Sequence, residues 1–233
     1  MEDESVPVGG CSRLTDRISL GVLAGSVPRD LIEEVLEETG KREQRSRLLP
    51  AHVMVRFCLA MCLFYDEDYE EVMRSLVGSL QDMGSWRDEW TVPSTSAITQ
   101  ARQRLGADPL RVLFERVAVP VAGRGTKGAW LGSRRLMAIE GFMLDIPDAP
   151  DNTREFGRLD HGPKASAFPQ VRVLAWEECS SHTVTAASFG PCRIDERSLL
   201  TDILPALEPD MLLIVDRNSL QLLTLVPSPD NRS

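Results

Sequence analysis

The feature that most constrains this chain is a change of hydrophobic period near its middle. Up to about residue 122, apolar residues recur every three to four positions, the period of a half-buried helix. After residue 133 they come in short runs bounded by polar turns, the texture of strands. Between the two lies a Gly-rich, basic stretch, 123–132. A chain of 233 residues, 42% of them hydrophobic, can bury a core in each part. The expected fold is a two-part α+β chain: an all-α bundle over 16–122, a linker over 123–133 and a mixed α/β sheet over 134–218. The acidic residues 1–15 and the Pro- and Ser-containing residues 219–233 read as disordered tails.

Within the first part, Leu31, Ile32, Val35 and Leu36 form one helical stripe, with Pro28 ahead of it and Thr39-Gly40 as its stop. Residues 41–47 read as a polar basic linker. A long apolar helix is expected over 51–65. A second, over 69–80, carries Val72, Met73, Leu76, Val77 and Leu80 on one face. Trp86 to Val92 reads as a break. Ser94 caps a helix over 95–105 that turns Ile98, Ala101 and Leu105 one way and ends at Gly106. Another helix covers 109–117. In the second part, 136–139 reads as a short strand ending at Glu140-Gly141, and 142–146 as a second. A polar loop follows over 148–167, then strands over 171–176 and 183–188, a helix over 196–204, and a buried strand over 211–215 that ends in Asp216.

The net charge of −9 hides a pattern. Residues 1–40 carry a net −6, residues 41–83 a net −1, residues 84–135 a net +5 and residues 136–233 a net −7. A DNA-binding surface needs local positive charge, and 84–135 supplies the one basic block. The five cysteines are scattered, with no CxxC pair; Cys58 and Cys62 share a helix face and read as buried free thiols. Trp86, Trp90 and Trp130 read as packing residues. No run reaches the roughly 18 apolar residues needed to cross a bilayer, and the acidic start has no apolar signal core. The expected location is the cytoplasm, at the nucleoid, without membrane contact.

Glu140 and Asp216 each follow directly on an apolar run. Buried strands deliver such side chains rigidly to the edge of a sheet, where ligands of open α/β sheets bind. A carboxylate pair is suited to Mg²⁺, a hard cation that takes oxygen ligands. Two such ions can activate water and stabilise a leaving oxygen in phosphoryl transfer. An acidic residue at a strand end is also often no more than a solvated turn residue.

The string Leu136-Met137-Ala138-Ile139-Glu140-Gly141, followed by Leu144-Asp145-Ile146-Pro147-Asp148, resembles the first catalytic segment of bacterial DDE-type insertion-sequence transposases of the insertion-element-four family. That family reads Ala-Ile-Asp-Gly-Thr and then Leu-Asp-Val-Pro-Asp. Leu48-Leu49-Pro50-Ala51, Tyr69-Glu70-Glu71-Val72, the run from Pro93 to Gly106, Ala167-Phe168-Pro169-Gln170-Val171-Arg172 and Leu213-Ile214-Val215-Asp216-Arg217 match as well, so the likeness runs from about Leu20 to about Asn218. It implies a helical DNA-binding domain followed by a ribonuclease H-like core that cuts element ends and joins them to new DNA. It further implies three acids that hold Mg²⁺, of which Asp216 matches the second and Glu140 stands in the place of the first. The implied partner is double-stranded DNA bearing terminal inverted repeats; dimer formation is left open.

On this reading the polar residues Thr99, Gln100, Arg102, Gln103 and Arg104 of the helix over 95–105 face DNA. Its N-terminal amides are placed to meet a phosphate, and Arg102 and Arg104 to meet phosphates or guanine edges. Arg124, Lys127, Arg134 and Arg135 are expected to track backbone phosphate. Two departures from the family stand out. Glu140 is one methylene longer than aspartate, moving its carboxylate by roughly 1.5 Å, and catalytic constellations tolerate only about 0.5 Å. Asp145 is the conceivable substitute, although it matches a separate family residue. The family's third acid lies beyond the last residue here, so the expected catalytic domain is partial and inactive. Residues 220–225 back-translate, one base later, to the family's Phe-Ser-Tyr-Ser-Leu-Trp, which suggests a frameshift near Asn218. The competing reading is a DNA-binding module that occupies element ends and interferes with an intact transposase.

Overall fold

A computed structural model of the chain describes residues 14–45, 47–82, 91–159 and 166–215. The fold is mixed α+β, and the chain divides into two compact units, Met1–Val117 and Ala118–Ser233.

The described residues of the first unit form six helices: α1 (Leu14–Ser26), α2 (Arg29–Glu38), α3 (Ala51–Leu63), α4 (Tyr69–Asp82), α5 (Thr95–Leu105) and α6 (Asp108–Val117). Helix α3 is apolar nearly all round, which is the pattern of a helix buried on most sides. It accordingly packs against α2, α4 and α5, and Val53, Phe57 and Ala60 are fully buried. Each surrounding helix contributes one stripe: Ile32, Val35 and Leu36 from α2, Ile98, Ala101 and Leu105 from α5, Val112 and Leu113 from α6. Helix α2 ends in a Schellman motif. Gly40 takes the left-handed φ of 66°, its N–H reaches the Glu37 carbonyl at 3.1 Å, and the Lys41 N–H reaches the Leu36 carbonyl at 2.7 Å. That turn sends the basic residues 41–47 back across the start of α3.

The second unit is built on one sheet: β1 (Trp130–Leu131), β2 (Arg134–Asp145), β3 (Gln170–Glu178), β4 (Thr183–Pro191) and β5 (Met211–Ile214). Strands β2, β3 and β4 pair antiparallel in sequence order, and β5 returns to pair parallel with β2 after helix α8 (Glu196–Ile203). A 3-10 turn, Leu204–Ala206, joins α8 to β5, and α7 (Pro150–Phe156) lies between β2 and β3. Asp195 caps α8 by accepting from the Ser198 N–H at 3.1 Å. Side chains alternate across a strand. Met137 and Ile139 of β2 point to the face that α8 covers with Leu199, Leu200 and Ile203, where Leu174, Trp176 and Met211 complete the core.

Three expectations are corrected here. The two strands read around Glu140-Gly141 are one continuous strand. Gly141 pairs in register with Leu174, with the Leu174 Cδ1 at 3.4 Å from where its Cβ would stand, so the glycine fits the ladder instead of breaking it. The loop over 148–167 contains α7, opened by Pro150 at its first turn. Residues 123–133, expected as a linker, carry β1 and a turn closed by Thr126 N–H to Gly123 carbonyl at 3.0 Å. The expected tails, the Trp86 and Trp90 positions and Asp216 lie outside the described residues.

Candidate nucleic-acid interface and acidic strand

Helix α5 forms over the expected residues. Ser94 Oγ accepts from the Ala97 N–H at 3.4 Å, and Gly106 closes the helix at φ 74°. Gln100, Gln103 and Arg104 are exposed, and Thr99 and Arg102 half-buried. They play different parts. Arg102 hydrogen-bonds the Tyr69 hydroxyl and lies over its ring, 5.1 Å from the centroid, so it ties α5 to α4. Thr99 back-bonds to the Thr95 carbonyl at 2.9 Å. Gln100, Gln103 and the Arg104 guanidinium are left facing solvent.

The N-terminus of α5 is already occupied. Glu70 accepts from the Thr95 N–H at 3.1 Å and from its hydroxyl at 3.0 Å. A carboxylate there takes the place expected for a phosphate and repels one, so the amide contact read from sequence is withdrawn. The C-terminal end is the cationic one. Lys41 Nζ donates to the Arg104 carbonyl at 3.2 Å, and Lys41, Arg47 and Arg104 line one cavity of about 160 Å³. Sequence reading missed this juxtaposition, because residues 41–83 sum to a net −1 and the turn at Gly40 is what brings 41–47 to α5.

The cations of the second unit separate in the same way. Arg135 pairs with Glu178, donates to the Ala122 carbonyl at 3.0 Å and stacks 4.5 Å from the Trp130 ring centroid. Arg124 also lies over the Trp130 ring, 3.8 Å from its centroid, and donates to the Ser133 carbonyl at 3.0 Å. Lys127 and Arg134 are exposed. Glu178 is fully buried. It accepts from the Ala122 N–H at 2.8 Å and the Val121 N–H at 3.2 Å, and from the Ser181 hydroxyl. Burial pushes its pKa up, but the hydrogen bonds from Ser181, Ala122, Arg135 and Val121 outweigh that and hold it below the ordinary carboxylate value.

Glu140 lies mid-strand in β2, opposite Ala175, on the face away from α8. It is exposed and makes no hydrogen bond or ion pair among the described residues. Around it that face is apolar and bare: Phe142 is 42% exposed, Leu144 49%, Phe189 65% and Ile214 51%. Asp145 stands five positions along the same strand, hence on the opposite face and roughly 16 Å away. It accepts from the Gln170 side-chain amide at 2.8 Å. Asp145 therefore does not substitute for Glu140. No group of three His, Cys, Asp or Glu side chains fit to hold a metal occurs among the described residues.

Two thiols settle an expectation in opposite ways. Cys58 is half-buried, and burial raises its pKa, whereas Cys62 is exposed. The four-residue spacing puts both on one side of α3, but Cys62 lies at the helix's exposed end.

The model of the insertion element 4 transposase N-terminal domain matches residues 17–115, from within α1 to within α6. The transposase InsG for insertion sequence element IS4, from Escherichia coli strain K12, is 31% identical over 188 residues, or 81% of this chain. The chain belongs to the insertion-element-four transposase family. InsZ of the same strain, itself assigned as a transposase, is 27% identical over 201 residues, or 85% of this chain. The chain spans 41% of the length of InsG and 64% of that of InsZ. No solved structure matches the chain. Among the described residues no helix is long and apolar enough to cross a membrane.

Proposed function

We propose that this family member binds the terminal inverted repeats of an insertion element through its helical unit, and that its sheet unit is the first part of a ribonuclease H-like DDE core for cut-and-paste transposition. The observation that carries the second half is the parallel pairing of β5 with β2. It ends at Ala138 opposite Ile214. Glu140 is two residues past Ala138, and Asp216 two residues past Ile214 in the sequence. Three antiparallel strands followed by a helix and a strand parallel to the first is the order such a core requires, and it supports reading Glu140 and Asp216 as two of its acids.

In the helical unit, Gln100, Gln103 and Arg104 of α5 are the groups free to reach base edges or phosphates. Arg102 holds α5 in place through Tyr69. In the sheet unit, Lys127 and Arg134 are free to meet phosphate, and Arg135 and Arg124 hold the β1 turn. Glu140 is an unpaired, solvent-facing carboxylate, and its donor chemistry fits Mg²⁺. Glu140 and Asp216 would hold the ion, which when bound polarises the scissile phosphate and lowers the pKa of a water nucleophile. The additional methylene of Glu140 displaces that carboxylate relative to the family's aspartate, so cleavage is weak.

The test is a mobility shift with the element's terminal repeats, followed by a nicking assay in Mg²⁺ or Mn²⁺. Specific binding with little or no nicking is expected of the chain itself, and Glu140→Asp should raise nicking by at least about 100-fold, since a misplacement of about 1 Å can already cost that much. Binding no tighter to the repeats than to scrambled DNA would overturn the reading. A second reading, favoured by the glutamate itself, keeps end binding without chemistry and makes the chain a competitor of an intact transposase. It predicts that Glu140→Asp leaves nicking absent while repeat binding persists.

A further inference from the structure

The helical unit contains a charge with no counter-charge. Arg56 of α3 is only 8% exposed, yet it makes no hydrogen bond or ion pair among the described residues. None of its guanidinium nitrogens is fully buried without a partner, so the group keeps a narrow contact with solvent through which an anion could reach it, and pairing would offset the cost of its partial desolvation. Its neighbours do not relieve it. His52 lies one turn earlier on the same face of α3. Arg29 of α2 is close enough to depress the Arg56 pKa, after the larger effect of burial. His52 is itself pushed below its ordinary value, by burial first and then by Arg29 and Arg56, with Glu33 alone acting the other way.

His52 and Arg29 also line a cavity of about 290 Å³ in which Arg42, Arg45 and Arg47 take part. Two carboxylates share it. Glu33 lies 3.5 Å from Arg29, 4.0 Å from Arg42 and 3.7 Å from His52 Nδ1. Glu43 lies 3.2 Å from Arg47 and accepts from the Ala51 N–H at 3.0 Å. Arg45 is exposed and without a partner among the described residues. Arg42 also pairs with Glu37 at 3.0 Å, so the four arginines of the wall face three carboxylates; Arg45 is the surplus charge of the wall, and Arg56 stands near His52 without lining it. We propose that this pocket between α2, the 41–47 turn and α3 is a phosphate-binding site, completed by Arg56 and Arg45 and separate from the exposed face of α5. A tetrahedral phosphate oxyanion matches a ring of guanidinium donors. It has two sources, a DNA backbone phosphodiester and free phosphate. Arg47 lines both this cavity and the one that contains Arg104, which favours the DNA source; that arm rests on the DNA-binding reading above.

The experiment uses the full chain and the His52 ring resonances, assigned with His52→Gln. Inorganic phosphate should shift them in a saturable way. Arg56→Met should abolish the shift while raising the unfolding temperature of the helical unit, since it removes an unpaired buried charge without emptying the space. Arg45→Ala, at an exposed position, should weaken phosphate binding at least about threefold with no change in unfolding temperature. With a DNA duplex, each variant should lower the slope of log affinity against log salt by about one if the phosphate is DNA's. If phosphate moves His52 but duplex binding is unchanged in both variants, or the chain binds no duplex, the site takes free phosphate and stands. If His52 is unmoved by phosphate and both variants bind duplex as the wild type does, the proposal is overturned, whatever the chain does with DNA.

Discussion

The two units solve the burial problem differently. Among the described residues, the helical unit gathers twenty-one buried apolar residues in one cluster around α3, whereas the sheet unit gathers seven between its sheet and α8 and leaves apolar side chains exposed on the other face. In the first, the features left without a partner among the described residues are charges: the Arg56 and Arg45 guanidinium groups. The second surrounds Glu178 with four donors, but it leaves Gln170 Oε1 and Ser180 Oγ buried without a hydrogen-bond partner and exposes apolar area on the Glu140 face. Among the described residues, one unit therefore carries arginines without a counter-ion, and the other exposes the apolar face that bears Glu140. Where each unit is incomplete is where its partner chemistry is expected.

The comparison is sharpest in core substitutions. Phe57→Ala removes a fully buried ring that meets Tyr69 edge-on at 5.7 Å. It should cost about 4 kcal/mol in the unfolding of the helical unit, measured by denaturant titration, and leave the sheet transition in place. Glu178→Ala should cost about 3 kcal/mol in the sheet unit, because Arg135 and two backbone N–H groups lose their acceptor together. Equal effects of either change on both transitions would mean that the units do not unfold separately.

Acid should separate them again. His52 has a folded pKa below its unfolded 6.5, so the unfolded chain binds more protons. The helical unit then loses stability as pH falls from about 6.5 through the lower folded value. Glu178 has a folded pKa below its unfolded 4.5. Its contribution is present above 4.5 and is lost only as pH falls through that depressed value. The helical transition should shift first, monitored by near-ultraviolet circular dichroism across pH 7 to 3. A sheet unit that weakens before the helical one would break the comparison. The smallest effect is expected on the bare face. Phe189→Thr should alter stability by less than about 0.5 kcal/mol while reducing binding of an apolar dye.

Much of this was legible in the sequence. The apolar stripes of α2 and α5, the Ser94 cap and the apolar run of β5 follow from residue period and capping chemistry, whereas the parallel pairing of β5 with β2 does not. The glycine at 141 misled, because its effect depends on whether a neighbour such as Leu174 fills the space its side chain lacks. The roles of the arginines were the least legible part. Arg102 and Arg135 look like any surface cation in one dimension, yet Tyr69 and Glu178 engage them. Both partners are more than 30 positions away in the chain. The pocket lined by Arg29, Arg42, Arg45 and Arg47 was hidden for the same reason: a sum of charge along residues 41–83 cancels what the turn at Gly40 concentrates in space.

The central claim is that Glu140 and Asp216 act together on a divalent ion. Titration with Mn²⁺, followed by electron paramagnetic resonance, tests it most directly on the wild type, Glu140→Gln and Asp216→Asn. The account predicts that the wild type binds the ion and that each variant loses that binding. Binding retained in both variants, or absent in the wild type, would contradict it.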